Sequence, residues 1–142
     1  MQQTERITGG MPGGRTYIDL SQVFDRPKAI DYVELVVAMP MNSGFTLGVF
    51  RRKGGNLFEC VESQNLGTFP EGPRTVSGLA LEAAGGDYIG CFYATGAIAA
   101  TESRGLSGLL AVVGDHTAVG SLTTYEKSGS QQLLLSVSGE NS

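Results

Sequence analysis

From residue 15 onward, apolar and polar positions alternate in short runs, and each run ends at a turn signal. RTYIDL (15–20) comes first, and DRPK (25–28) breaks the chain. In AIDYVELVVA (29–38) the two-residue alternation puts Val33, Leu35 and Val37 on one face, with Asp31 in the same phase. PMNSG (40–44) reads as a turn. GFTLGVFR (44–51) places Phe45, Leu47 and Val49 opposite Thr46, Gly48 and Phe50. KGGN (53–56) is a hairpin signal, because glycine supplies the positive φ that tight turns need. LFECVESQNLG (57–67), RTVSGLAL (74–81), GDYIGCFYA (86–94), AIAA (97–100), SGLLAVV (107–113), SLTTYE (121–126) and QQLLLSV (131–137) follow. EAAG (82–85) and IAAT (98–101) lean toward helix but are too short to nucleate one. Nine or ten short strands at about ten-residue spacing predict an all-β chain, an antiparallel sandwich or barrel. No βαβ pattern or internal repeat competes.

Residues 1–14 break this rhythm. MQQTERITGGMPGG is polar and then glycine-rich, so it reads as a flexible arm ahead of a single β-sandwich domain over 15–142. Ile7, Met11, Pro12 and Arg15 are the candidate partner contacts of that arm. With no apolar h-region here and no apolar run near 20 residues, the expectation is synthesis in a cytoplasm, without a membrane span.

Composition sharpens the picture in two ways. Charged residues are only 17% of the 142, below the usual share of about 25%. A surface so poor in charge fits one that is covered by a partner or by copies of itself. The net charge is −4 and the basic residues are scattered, with Arg51, Arg52 and Lys53 as the tightest group. That group reads as a solvated hairpin tip, which disfavours a nucleic-acid partner. Cys60 and Cys91 lie inside strand patterns and read as buried free thiols.

The candidates for chemistry are few. His116, in GDHTAVG, is the one histidine, and there is no CxxC, so no usual zinc set is present. No GxSxG elbow, GxGxxG or P-loop occurs, and Asp115 beside His116 is adjacency only. Glu59 and Glu62, three apart on a strand, are expected on opposite faces, and Glu82 and Asp87 flank a turn. These residues predict no enzyme, no metal and no cofactor. In GGDYIGCFYATGAI (85–98), Asp87 stands at a strand entrance, where a carboxylate commonly accepts hydrogen bonds from turn amides. Tyr88, Gly90 and Phe92 alternate with Ile89, Cys91 and Tyr93, so both faces are apolar and the strand is expected to be central. Gly90 then leaves room for a large neighbour or marks a bulge.

The set TYIDL, IDYVEL, GFTLGVFRR, FECVES, GDYIGCFYATGAI, SGLL, TTY and the final SGE resembles a family of β-sandwich, jelly-roll-like domains found in phage genomes as virion components. The likeness covers about residues 15–140. A shorter stretch, GLLAVVGDHTAVGSLTTYEKSG (108–129), is similar to the small head decoration proteins of lambda-type phages. The resemblance implies a capsid decoration (cement) protein on the virion surface, a homotrimer whose partner is the major capsid protein. The alternative is a tail-fibre or surface module that recognises glycans, with Tyr93 and Tyr125 as its aromatic contacts.

Overall fold

The structure is a computed structural model, and it describes residues 7–102, 108–129, 131–133 and 135–138. They hold no helix and thirteen strand segments. These are β1 (Ile7–Pro12), β2 (Arg15–Val23), β3 (Lys28–Met39), β4 (Met41–Gly54), β5 (Leu57–Phe69), β6 (Gly72–Ala83) and β7 (Tyr88–Tyr93). The rest are β8 (Ala97–Glu102), β9 (Leu109–Val113), β10 (Leu122–Thr124), β11 (Glu126–Gly129), β12 (Gln131–Leu133) and β13 (Leu135–Ser138). All ten expected runs are strands. The excess comes from β1 and from the division of 121–138 into four segments.

Two antiparallel sheets form a β-sandwich. One is ordered β1-β8-β3, with β6 on the far side of β3; the other contains β5-β4-β7-β2. These two quartets, 1-8-3-6 and 5-4-7-2, give the strand order of an eight-stranded jelly roll. Between them lies the main core. Val33, Leu35 and Val37 meet Phe45, Leu47 and Val49 there, together with Ile89, Cys91, Tyr93 and Tyr17.

The second sheet carries more strands, in the order β10-β5-β4-β7-β2-β9-β11. Its two edge strands are separated in sequence by one residue, Tyr125. Two residue steps span at most about 7 Å, so the edges must come together and the sheet curls on itself. The curl encloses a second core of Ile18, Phe50, Phe58, Cys60, Leu110 and Tyr125. Tyr125 stands edge-on to Phe50 and Phe58, with ring centroids 6.1 and 5.9 Å apart. Strands β4 and β7 therefore serve both cores, as their two apolar faces require. Gly90 makes the room expected of it: a Cβ there would lie 2.4 Å from the Tyr17 carbonyl oxygen and 2.7 Å from the Phe50 ring.

Four expectations change. The arm boundary at residue 14 moves, because residues 7–12 are β1 and pair with β8. Gly9 and Gly10 lie opposite Ala100 and Ala99, small residues on both strands, while Met11 is buried in the main core. The Tyr17 and Tyr93 hydroxyls donate to the carbonyls of Pro12 and Met11 and fix the strand. Residues 1–6 lie outside the described residues. Met41 opens β4 and is fully buried, so the turn expected at 40–44 is largely strand. Asp31 leaves the Val33 face: the register slips between Ile30 and Tyr32, where Gly78 (φ 78°) starts a bulge on β6, and Asp31 points to solvent. A bulge at Val61 puts Glu62 opposite Val49 and Glu59 opposite Arg51, so the simple alternation that would separate the two glutamates does not hold.

The β6 edge of the first sheet is protected against strand addition. On β6, Pro73 has no N–H, Gly78 breaks the ladder, and the Ala80 N–H donates to Gln64 Oε1 at 3.1 Å.

If β1 is core rather than arm, Met11→Ala lowers stability by about 2–3 kcal/mol in urea unfolding. An unchanged midpoint would return Met11 to an arm outside the fold.

Candidate functional site

The side chains put forward for chemistry are mostly employed in the fold. Asp87 is 1% exposed at the start of β7. Its carboxylate accepts the Ala84 N–H at 2.8 Å and two bonds from Arg51, Nε at 2.9 Å and Nη2 at 3.1 Å. The Asp87 carbonyl takes the Phe24 N–H, and the Phe24 carbonyl takes the Gly86 N–H. One carboxylate thus ties the β6–β7 turn to β4 and sits beside the chain leaving β2. The expected role at a strand entrance holds, and Arg51 supplies a partner that lies 36 residues away.

The basic tip is exposed, yet each member is occupied. Besides Arg51, Lys53 pairs with Glu59 at 3.1 Å, and the Arg52 guanidinium lies over the Phe58 and Tyr88 rings, 5.2 and 5.5 Å from their centroids. Arg51 is held in its charged form by the Asp87 hydrogen bonds and charge, which raise its pKa.

His116 sits in the 114–120 loop, which is tied to Cys60 of β5 through Thr117 and Gly120 and to Thr16 of β2 through the His116 N–H. Its Nε2 lies 2.9 Å from the Val113 carbonyl and its Nδ1 3.2 Å from Thr123 Oγ1, and the ring stands edge-on to Tyr125. With Nε2 donating and Nδ1 accepting, the neutral imidazole satisfies both contacts. Asp115 turns toward Thr117, accepting its N–H at 3.0 Å. It does not orient the histidine. Among the described residues no three His, Cys, Asp or Glu side chains form a group that could hold a metal ion.

Cys60 and Cys91 are both free and buried. Burial pushes the Cys60 thiol up to about 11 and the Cys91 thiol further in the same direction, so neither is poised as a thiolate nucleophile. Sequence reasoning missed Asp19. It is fully buried on β2, and its Oδ2 accepts the Leu133 N–H at 3.1 Å, linking the second sheet to β12. Within RTYIDL only the apolar neighbours hint at burial, and the partner lies 114 residues on.

The described surface carries a groove of about 590 Å³. Arg15, Ala111, Val112, Val113, Glu126 and Lys127 line it, along the β2–β9–β11 margin of the curled sheet. Strand register builds it: Arg15 lies opposite Val113, and Ala111 opposite Glu126. Val113 is 75% exposed beside a buried Ala111. Among the described residues Arg15 and Lys127 have no ion-pair partner. The exposed Val113 between two cations and one carboxylate suits a protein segment with an apolar side chain and an acidic neighbour. Of the four candidate contacts, Arg15 enters this groove, Pro12 is exposed, Met11 is core, and Ile7 pairs with Thr101 in β1. Tyr93 and Tyr125, the aromatic contacts named for the glycan alternative, are 0% and 2% exposed and serve the two cores instead.

The chain matches no protein-family model, no curated protein and no solved structure.

Two measurements follow. Asp87→Ala should cost about 2 kcal/mol in urea unfolding, since the Arg51 head can turn to water while the turn loses its acceptor. A change below about 0.5 kcal/mol would contradict the strut role. The second concerns alkali. Burial also raises Tyr17 to about 12 and pushes Tyr93 and Tyr125 up. In the unfolded chain these thiols and phenols ionise near 9.0 and 10.0. The folded chain keeps protons that the unfolded chain loses. The stabilisation is full below pH 9 and falls as pH rises toward the folded values. The urea midpoint should start to drop near pH 9; a flat profile to pH 11 would refute this.

Proposed function

We propose that the chain is a virion structural protein, a capsid decoration protein that binds the assembled head and reinforces it. The observation that carries this reading is the division of labour among the polar side chains. Asp87, Arg51, Asp19, Asp115 and His116 hold turns and strands together, whereas Arg15, Lys127 and Val113 stand at a groove unclaimed by other described side chains. A fold organised this way is suited to binding a protein surface.

The resemblance to phage virion domains, and that of residues 108–129 to lambda-type head decoration proteins, narrows the binder to a capsid partner. On this reading the partner is the major capsid protein, the working unit is a trimer, and the site of action is the capsid surface. A groove contact that is weak in one copy becomes strong when a trimer engages several lattice positions at once.

Sedimentation of the purified chain with capsids of the phage that encodes it tests the proposal. The expected result is a trimer that co-sediments with capsids. Arg15→Glu combined with Val113→Asp should cut the bound fraction about tenfold at unchanged thermal stability. A chain that stays monomeric and never co-sediments would overturn the reading.

A further inference from the structure

Strands β3 and β8 form a fork. They pair at Val37↔Ile98 and Met39↔Ala97, and beyond that point they part. β12 and β13 fill the gap. β12 pairs with β8 on the side away from β1 (Gln132↔Thr101, Leu133↔Ala100), and β13 pairs with β3 on the side away from β6 (Leu135↔Leu35, Ser136↔Glu34). Both pairings are antiparallel, and so is β3 with β8; β12 and β13 therefore run in opposite directions, one along each leg of the fork.

The register of the legs has a consequence. Continued from Val37↔Ile98, antiparallel pairing would bring Leu35 opposite Ala100 and Glu34 opposite Thr101. Leu35 and Ala100 both belong to the main core already. The fork can therefore close with Leu35 and Ala100 still on the core face; a reversal of facing is what usually forbids re-pairing. The jelly-roll quartet β1-β8-β3-β6 would then be continuous. Residues 131–137, QQLLLSV, carry no charge and no proline, a composition that pairs readily with strand edges.

We propose that β12–β13 is a releasable latch, and that β3 and β8 zip together behind it when it leaves. Leu133 and Leu135, both buried, hold the latch in place, and so does the Asp19 carboxylate through the Leu133 N–H. In the released state an uncharged β segment becomes available, and whatever takes it up shifts the equilibrium toward release. The inference is independent of the capsid reading.

Two full-length double variants test it by mild oxidation. Glu34→Cys/Ser136→Cys joins a pair adjacent in the latched form. Glu34→Cys/Thr101→Cys joins positions that have both latch strands between them, about 10 Å or more apart, beyond disulfide reach. The native thiols are buried in both. The latched pair should close within minutes. The second pair should close more slowly, and its oxidised form should lose amide-exchange protection over 131–138 while keeping it in β1 and β6. Asp19→Asn should speed that closure about fivefold or more, by replacing a charged acceptor with a neutral one. A Glu34→Cys/Thr101→Cys chain that stays reduced for hours, or that closes only with loss of protection throughout, would overturn the latch. An unchanged rate with Asp19→Asn would remove Asp19 from it.

Discussion

The structure depends on one sheet being asked to cover two cores. Over residues 45–50 of β4 and along β7, the sheet lies between the sandwich interior and the interior of the curl, so this part has no face for water. Both faces must be apolar, yet the ring of Phe50 needs space on the curled side. Gly48 and Gly90, side by side in the register, provide it by having no side chain. The curl in turn requires the sheet's two edges to meet, and Tyr125 joins them. Removing its ring would open the second core at the seam, because its contacts to Phe50, Phe58 and His116 come from three different segments.

The polar interior follows from the same arrangement. Chains that cross between sheets leave backbone groups without ladder partners, and buried groups must be paired. Asp87 satisfies the β6–β7 turn, Asp19 satisfies Leu133 where the first sheet forks, and the Tyr17 and Tyr93 hydroxyls satisfy the carbonyls of β1. Each is a carboxylate or phenol that could look catalytic in isolation. Each sits where a strand changes sheet or a turn is closed.

The candidate surface was legible only in fragments. Arg15 was a candidate contact on sequence alone, but Val113 only ends the SGLLAVV run and no local pattern singles out Lys127. They join because β9 pairs with β2 on one side and β11 on the other, a register that no local pattern records. Met11 illustrates the reverse error. GGMPGG has the composition of a loose arm, and it becomes a strand because β8, about 90 residues away, presents alanines that glycines can approach closely.

The sequence by itself determined the class of fold and most of its strands, since two-residue alternation and glycine turns are local signals that survive any tertiary context. It also determined that the 86–94 run would be central, because two apolar faces have no other use. Asp87 was legible as a turn acceptor for the same local reason. The tertiary structure decided the jelly-roll strand order, the curl, the fork and the partners of Asp87 and Asp19. Those depend on pairings between residues 36 to 114 positions apart. Bulges at Val61 and Gly78 also belong to the tertiary structure. At Val61 a single inserted residue reverses the facing of everything beyond it, and only the partner strand shows that the insertion is there.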